Sequence, residues 1–300
     1  MAELSKSEAG WRLGYGGDTL NTAIHLARLG HRVGFITALG VDSFSAMLRR
    51  NWVEEGLDAD LILTDDSRLP GLYAIDVDTA GERSFLYWRS QSAARRLFAL
   101  PAISQVLAQA EQARLFCYSL ITLAILPPEA RNSLLDQCRR IRRRGGRVAF
   151  DGNYRPQLWE RLEDARNALT EALCCCDIGL PTLADEQLLF GQGDAQSVRD
   201  RWISCGVDEV VVKAGAAGCM VDDATWVAPT ASVTVLDTSG AGDAFNAGYL
   251  HGRIAGRSGP QAASFGHQLA GWVISRSGAI PPVDGAAPYH LLAAANGACQ

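Results

Sequence analysis

Val233-Thr234-Val235-Leu236-Asp237-Thr238-Ser239-Gly240-Ala241-Gly242-Asp243-Ala244-Phe245-Asn246-Ala247-Gly248-Tyr249-Leu250 reads as three pieces in a row. Val233 to Leu236 is apolar and β-branched, the composition of a strand. Asp237 to Gly242 is small and glycine-rich, so the backbone there can approach a ligand closely. Ala244 to Leu250 has a helical composition. The first amides of a helix lack acceptors and lie at its positive end, which makes such a turn a place for an anion. An acid at that place, Asp243, needs a reason. Two stand open: it caps the helix, or its carboxylate takes the proton from a hydroxyl as that oxygen attacks a phosphoryl group. In the second reading Gly240, Ala241 and Gly242 hold the developing negative charge with their amides.

Working outward, helical and strand patterns alternate. Leu20, Ala23, Ile24 and Ala27 fall at helical spacing, and Gly30 is a natural stop. Arg32 to Ala38 reads as a strand and Ser43 to Glu55 as a helix. Arg131 to Arg144 is helical and runs into a strand at Arg147-Val148-Ala149-Phe150. Glu209 to Lys213 is a short strand, and Gly242 to Ile254 and Gln261 to Arg276 are helices. Such alternation predicts an α/β protein with a mostly parallel sheet and helices on both faces. Residues 1–300 are expected to form one domain. One region departs: Leu72 to Val77 and Glu82 to Trp88 are strand-like and separated only by the turn sequence Asp78-Thr79-Ala80-Gly81. They predict a β-hairpin lid over about 69–89, off the main sheet, above the crevice at the carboxyl ends of the strands. An ordinary edge hairpin is the other reading.

Composition removes several classes. The chain has 300 residues and a formal net charge of -5, with no basic excess to attract nucleic acid. The basic run Arg139-Arg140-Ile141-Arg142-Arg143-Arg144 ends a helical pattern, where cations complement the helix dipole. The eight cysteines show no metal-ligand rhythm; even Cys174-Cys175-Cys176 is poorly placed to converge on one ion. Free thiols and the lack of a secretory leader lead us to expect a cytoplasmic protein. The apolar stretch Leu115 to Leu126 is too short to span a bilayer and reads as a buried strand and its exit. The Gly-x-x-x-x-Gly-Lys-Ser/Thr phosphate loop is missing, as is a Gly-x-Gly-x-x-Gly turn after a first strand.

With these residues in view, Asp-Thr-x-Gly-Ala-Gly-Asp leading into a helix resembles the C-terminal signature of the ribokinase-like (PfkB-type) carbohydrate kinases. Gly16-Gly17-Asp18-Thr19-Leu20-Asn21 is similar to that family's sugar-binding turn and helix. Lys213-Ala214-Gly215-Ala216-Ala217-Gly218 is similar to its nucleotide loop. Asp185-Glu186 resembles its Asn-x-x-Glu region, with Leu183 standing where the family has Asn. The resemblance runs in order from Gly16 to Pro281. It implies a three-layer α/β/α sandwich and an ATP-dependent kinase in which Asp243 is the base. It further implies that Asn153, Lys213, Gly215 and Gly218 lie near ATP. Mg2+ would sit largely on phosphates, with Glu186 acting on it through water. At Asp237 and Thr238, relatives often place a monovalent cation.

Asn153 and Arg155 follow the strand ending at Phe150, and an arginine in a sugar site suits an anionic acceptor, because guanidinium pairs with carboxylate in bidentate fashion. Local bracing by Arg155 and a surface charge at Arg89 are the alternatives. Gly-Gly-Asp-Thr-Leu-Asn, Pro70-Gly71-Leu72-Tyr73, Tyr87-Trp88-Arg89 and Asn153-Tyr154-Arg155-Pro156 together resemble the branch of the family that phosphorylates 2-keto-3-deoxygluconate on its 6-hydroxyl. By that resemblance Gly16, Gly17, Asp18, Asn21, Tyr73, Tyr87, Arg89 and Arg155 hold the sugar acid. A fructokinase or other sugar kinase of the family, and a catalytically silent sugar-binding protein on the same fold, stay open. Met1-Ala2-Glu3-Leu4-Ser5 aligns just after the strand with which relatives begin, so the first central strand is expected to be missing. A homo-oligomer is a further expectation, with Leu72, Ile75, Phe85 and Trp88 of the lid burying its second face against a twin.

Overall fold

The computed structural model describes residues 1–7, 10–77, 83–230 and 232–297. The chain forms two compact units, Met1–Val106 and Leu107–Gln300.

In the first unit the chain opens with strand β1 (Ala2–Ser7) and its antiparallel partner β2 (Gly10–Tyr15). Helix α1 (Asp18–Arg28) follows, then the short strands β3 (Val33–Gly34) and β4 (Thr37–Leu39), helix α2 (Ser43–Glu54), β5 (Leu57–Asp58) and β6 (Ile62–Thr64). The predicted strand at 32–38 is thus two pieces: β3 pairs in parallel with β5, and β4 with β6. Asp42 caps α2 by accepting from the Ser45 amide at 3.0 Å. Glu55, just past α2, takes a two-pronged bond from Arg28 of α1, both arms 2.7 Å long.

The lid is larger than expected. Strands β7 (Leu72–Val77) and β8 (Arg83–Trp88) pair antiparallel, and β1 lies parallel to β7, so the sheet has four strands in the order β2-β1-β7-β8. The turn sequence Asp78 to Gly81 lies outside the described residues. The first residues of the chain therefore build the lid sheet and do not enter the parallel ladder described below.

Successive strand residues point to opposite faces, and the register sorts the lid cleanly. Leu13, Leu4, Ala74 and Leu86 stand in one cross-strand row, and Tyr15, Ala2, Leu72 and Trp88 in another on the same face. Gly14, Glu3, Tyr73 and Tyr87 form a row on the opposite face. Leu72 and Ile75, grouped together from the sequence, lie on different faces because their separation is odd. The side chain of Phe85 is not among those described.

Helix α3 (Ile103–Ala110) carries the chain into the second unit. Its parallel ladder has the order β12-β11-β10-β9, from β9 (Leu115–Ser119), β10 (Arg147–Asp151), β11 (Ile178–Gly179) and β12 (Glu209–Val210). The apolar run 115–126 is split: Ser119 ends β9 and caps helix α4 (Leu120–Ile125) in a reciprocal box with Thr122. Helix α5 (Pro128–Arg143) follows, and four arginines of the basic run pair with Asp136, Glu111 and Asp177. Phe150 at the sheet centre is fully buried, its ring 4.9 Å from that of Tyr118 and 5.8 Å from that of Trp202. Burying such a side chain contributes about 2–3 kcal/mol. Helices α6 (Leu162–Leu173), α7 (Leu183–Phe190) and α8 (Ala195–Ser204) connect the strands.

A second, antiparallel sheet holds β13 (Val212–Lys213), β14 (Cys219–Val221) and β15 (Thr225–Val227). The predicted strand Val233 to Leu236 does not form. Val233, Val235 and Leu236 are exposed and enter no ladder, and β propensity without a cross-strand partner does not make a strand. Helix α9 (Ala241–Ile254) lies against α10 (Gly259–Ile274), and helix α11 (Tyr289–Gly297) closes the described chain. A β carbon at Gly248 would stand 2.6 Å from the Phe265 carbonyl oxygen, and one at Gly252 2.8 Å from Ala262. These two glycines let the helices touch backbone to backbone, which holds α9 in place. Among the described residues no helix is long and apolar enough to cross a membrane.

Candidate active site

In the second unit the expected phosphoryl-transfer turn is built from its carboxylate outward. Asp237 is buried; its Oδ1 accepts from the Ser239 amide at 2.8 Å and its Oδ2 from the Gly278 amide at 2.7 Å. Those two bonds curl the chain into Gly240, which caps α9 with φ 70° in the left-handed region. A β carbon there would also stand 2.5 Å from that of Ala279, so the position admits only glycine. Among the described residues the amides of Gly240 and Gly242 have no acceptor, whereas that of Ala241 donates to the Thr238 carbonyl at 3.3 Å. Asp243 lies buried in the first turn, and the cap residue of this helix is Gly240. An anion facing this turn would meet unpaired N–H groups at the positive end of a helix.

The carboxyl end of β10 supplies the next groups. Asn153 Oδ1 is buried and has no hydrogen-bond partner among the described residues, an orphan acceptor that suits a donor from a ligand. Arg155 donates to the Tyr154 carbonyl at 2.6 Å and reaches Asp185 at 3.5 Å, while much of its side chain stays open to solvent. Thr182 bridges β13 in parallel at Lys213, which brings the start of α7 to the same end of the sheet. Burial pushes the Asp185 carboxyl up, as does the charge of Asp151, while Arg155 and Lys213 pull it down.

Glu186, expected as the magnesium organiser, has partners on both carboxylate oxygens within the protein. Its carboxylate is 1% exposed, with one oxygen on the Arg201 guanidinium and the other 3.0 Å from the Trp202 indole nitrogen. Each oxygen has a partner on α8, so the buried carboxylate ties α7 to α8. Asp185, one residue earlier and about 100° around the helix, faces Arg155 instead. Thr182 and Asp185 have the same three-residue spacing as Leu183 and Glu186.

The nucleotide-loop candidates are placed unevenly. Gly215 and Gly218 bracket a tight turn closed by the Ala214 amide on the Gly218 carbonyl at 2.8 Å. Lys213 is buried, with Nζ 3.1 Å from Asp151 and 2.9 Å from Asn246. Asp151 and Asn246 were not singled out from the sequence.

In the first unit Gly16 and Gly17 lead into α1, whose first residue is Asp18. Asn21 folds back so that its Oδ1 accepts from the Gly17 amide at 3.3 Å. Tyr73 and Tyr87 are cross-strand partners with rings 6.0 Å apart, and the Arg89 guanidinium lies 4.0 Å over the Tyr87 ring. The Tyr73 hydroxyl donates to Glu3, and Gly16 leaves room for that hydroxyl. Glu3 was missed from the sequence; its parity with Gly14 across β1 and β2 was the available signal.

The profile of the pfkB family carbohydrate kinases matches residues 2–285, across both units. The chain belongs to this family. It is 44% identical over 297 residues to the 2-dehydro-3-deoxygluconokinase of Dickeya dadantii, covering 95% of each chain. Among solved structures it resembles a PfkB protein from Polaromonas sp. JS666, with a TM-score of 0.80 at 27% identity and 94% of each chain covered. It also resembles the aminoimidazole riboside kinase of Salmonella enterica complexed with aminoimidazole riboside and an ATP analog. That TM-score is 0.81 at 23% identity, covering 97% of this chain and 96% of that one. The ribokinase-like α/β fold expected from the family motifs is thereby shown, and the chain is an ATP-dependent carbohydrate kinase.

Proposed function

We propose that this kinase transfers the γ-phosphoryl group of ATP to 2-dehydro-3-deoxy-D-gluconate, giving the 6-phosphate. The observation that carries the reading is the 44% identity to the Dickeya dadantii enzyme of that name over 95% of both chains. The acceptor's 6-hydroxyl oxygen bonds to the γ-phosphorus as the bond to the bridging oxygen of ADP breaks, and the hydroxyl proton passes to the Asp243 carboxylate. The unpaired amides of Gly240 and Gly242 receive the developing charge. By the family resemblance, Arg155 in the second unit pairs with the acceptor's carboxylate; in the first unit the residues assigned to the acceptor are Gly16, Gly17, Asp18, Asn21, Tyr73, Tyr87 and Arg89. Asn153, Gly215 and Gly218 lie along the nucleotide.

Mg2+, when bound, would offset the negative charge of the phosphates. No three His, Cys, Asp or Glu side chains among the described residues gather as a cage for it. Asp185 fits the task of orienting its water, since both oxygens of Glu186 are engaged. A monovalent cation beside Asp237 would share its carboxylate with the amides of Ser239 and Gly278.

The outward lid face, open at Trp11, Leu86 and Trp88, supports a second copy of the chain as its cover. The test of the function is ADP release by the purified chain with 2-dehydro-3-deoxygluconate, gluconate, fructose and ribose, with the product located by phosphorus NMR. Turnover of fructose with the keto acid untouched would refute the assignment.

A further inference from the structure

Lys213 ends β13 with its ammonium buried, and the contacts around it form a closed ring. Nζ donates to Asp151 Oδ1 at 3.1 Å and to Asn246 Oδ1 at 2.9 Å, and Asn246 Nδ2 donates to Asp151 Oδ2 at 3.0 Å. A β carbon added at Gly242 would stand 4.0 Å from the same Nζ. One cation thus joins three segments: the last residue of β10, two before Asn153; the end of β13; and α9, at the residue one helical turn after Asp243. A lysine is seldom buried this deeply, because its charge must be taken out of water. A methionine would fill the volume without that cost, so a purely packing role does not account for the charge.

We propose that Lys213 is a positioning residue for phosphoryl transfer. Through Asn246 and Asp151 it locks the first turns of α9 to the end of β10, and it sets a positive charge beside Gly242. It acts without touching either substrate, whereas its motif resemblance alone would place it against ATP. A fixed charge near the place where negative charge develops counts most in a dry site and matters little to ground-state binding. The effect therefore belongs in kcat and not in KM. The inference rests on the reading of Asp243 as the base in the α9 turn.

The experiment is steady-state kinetics on Lys213→Met, Asp151→Asn and the charge-balanced double variant, with whichever sugar the wild type turns over fastest. Lys213→Met is expected to lose at least ~30-fold in kcat with KM for ATP and acceptor within ~3-fold. In the double variant the thermal midpoint should recover while kcat stays depressed; Asp151→Asn alone, which keeps the ammonium, should lose less than the double. Should Lys213→Met fail to fold, the double variant decides. Recovery of kcat in the double would reduce the pair to a structural brace. A loss seen mainly in KM for ATP would make Lys213 an ordinary nucleotide contact. Equal losses in Asp151→Asn and the double would shift the role to Asp151. A wild type active on another sugar overturns the acceptor assignment and leaves these ratios readable.

Discussion

Exchanging Glu186 for glutamine separates a brace from a metal organiser. Glutamine keeps an oxygen for the Trp202 indole and places an amide where Arg201 now finds a carboxylate. A hydrogen bond to a charged partner contributes about 1.5–3 kcal/mol. Arg201 is one-third exposed and rests 4.2 Å over the Phe190 ring, so water and the ring recover part of that. A loss of about 1–2 kcal/mol remains after this screening, or a fall in thermal midpoint of roughly 2–5 °C for a chain of this size. The kcat and the Mg2+ concentration giving half activity should stay within about twofold of wild type. Asp185→Asn should show the reverse: a stable protein with kcat down about 10²-fold and the Mg2+ requirement raised about tenfold. Differential scanning fluorimetry and a Mg2+ titration of the coupled assay read both. A Glu186→Gln protein of unchanged midpoint with a shifted Mg2+ requirement would sink the argument.

Asp243→Asn should cut kcat by about 10³-fold or more while sugar binding by calorimetry stays close to wild type, as expected when a base is lost. Arg155→Ala should raise KM about tenfold or more for the sugar acid and leave that for neutral sugars nearly unchanged; equal effects on both would make the arginine structural. Burial holds the imidazoles of His251 and His267 below the ordinary 6.5, against the partial opposing pull of the Leu292 and Val227 carbonyls. The unfolded chain then binds protons more readily, so stability is present above pH 6.5 and falls as pH drops through it, by at most about 1.4 kcal/mol per pH unit for each group. Urea melts between pH 7.5 and 5.5 should show that slope, and His251→Gln/His267→Gln should flatten it. Trp88→Lys should shift the mass measured by light scattering from dimer to monomer; an unchanged mass would remove the outward lid face as an interface.

The parts of the fold legible in the sequence were those with a local signal: helices α1, α2, α5, α9 and α10, strand β10 and the two lid strands. Misread segments depended on distant partners. Val233 to Leu236 has strand composition and no ladder to join, whereas Trp11, Leu13 and Tyr15 alternate as a strand and do join one. The Asp237–Asp243 turn was readable because its glycines and acid are contiguous. Which of two adjacent acids faces the site was not, since neighbours on a helix diverge by about 100° and only the place of Arg155 and Trp202 decides. The ring of Lys213, Asp151 and Asn246 spans separations of 62 and 33 residues, with no local pattern to announce it.

The lid sheet carries a consequence for how this chain can change. Its odd-numbered residues Glu3, Tyr73 and Tyr87 line one side and the even-numbered Leu4, Leu72, Ala74, Leu86 and Trp88 line the other. Inserting one residue into β7 after Leu72 exchanges the two sides for everything downstream in that strand, moving Tyr73 to the apolar side and Ala74 to the tyrosine side at once. Inserting two restores the sides and shifts only the height of each residue. Length variation in this sheet should therefore be tolerated in steps of two, and a library of one- and two-residue insertions would sort by parity.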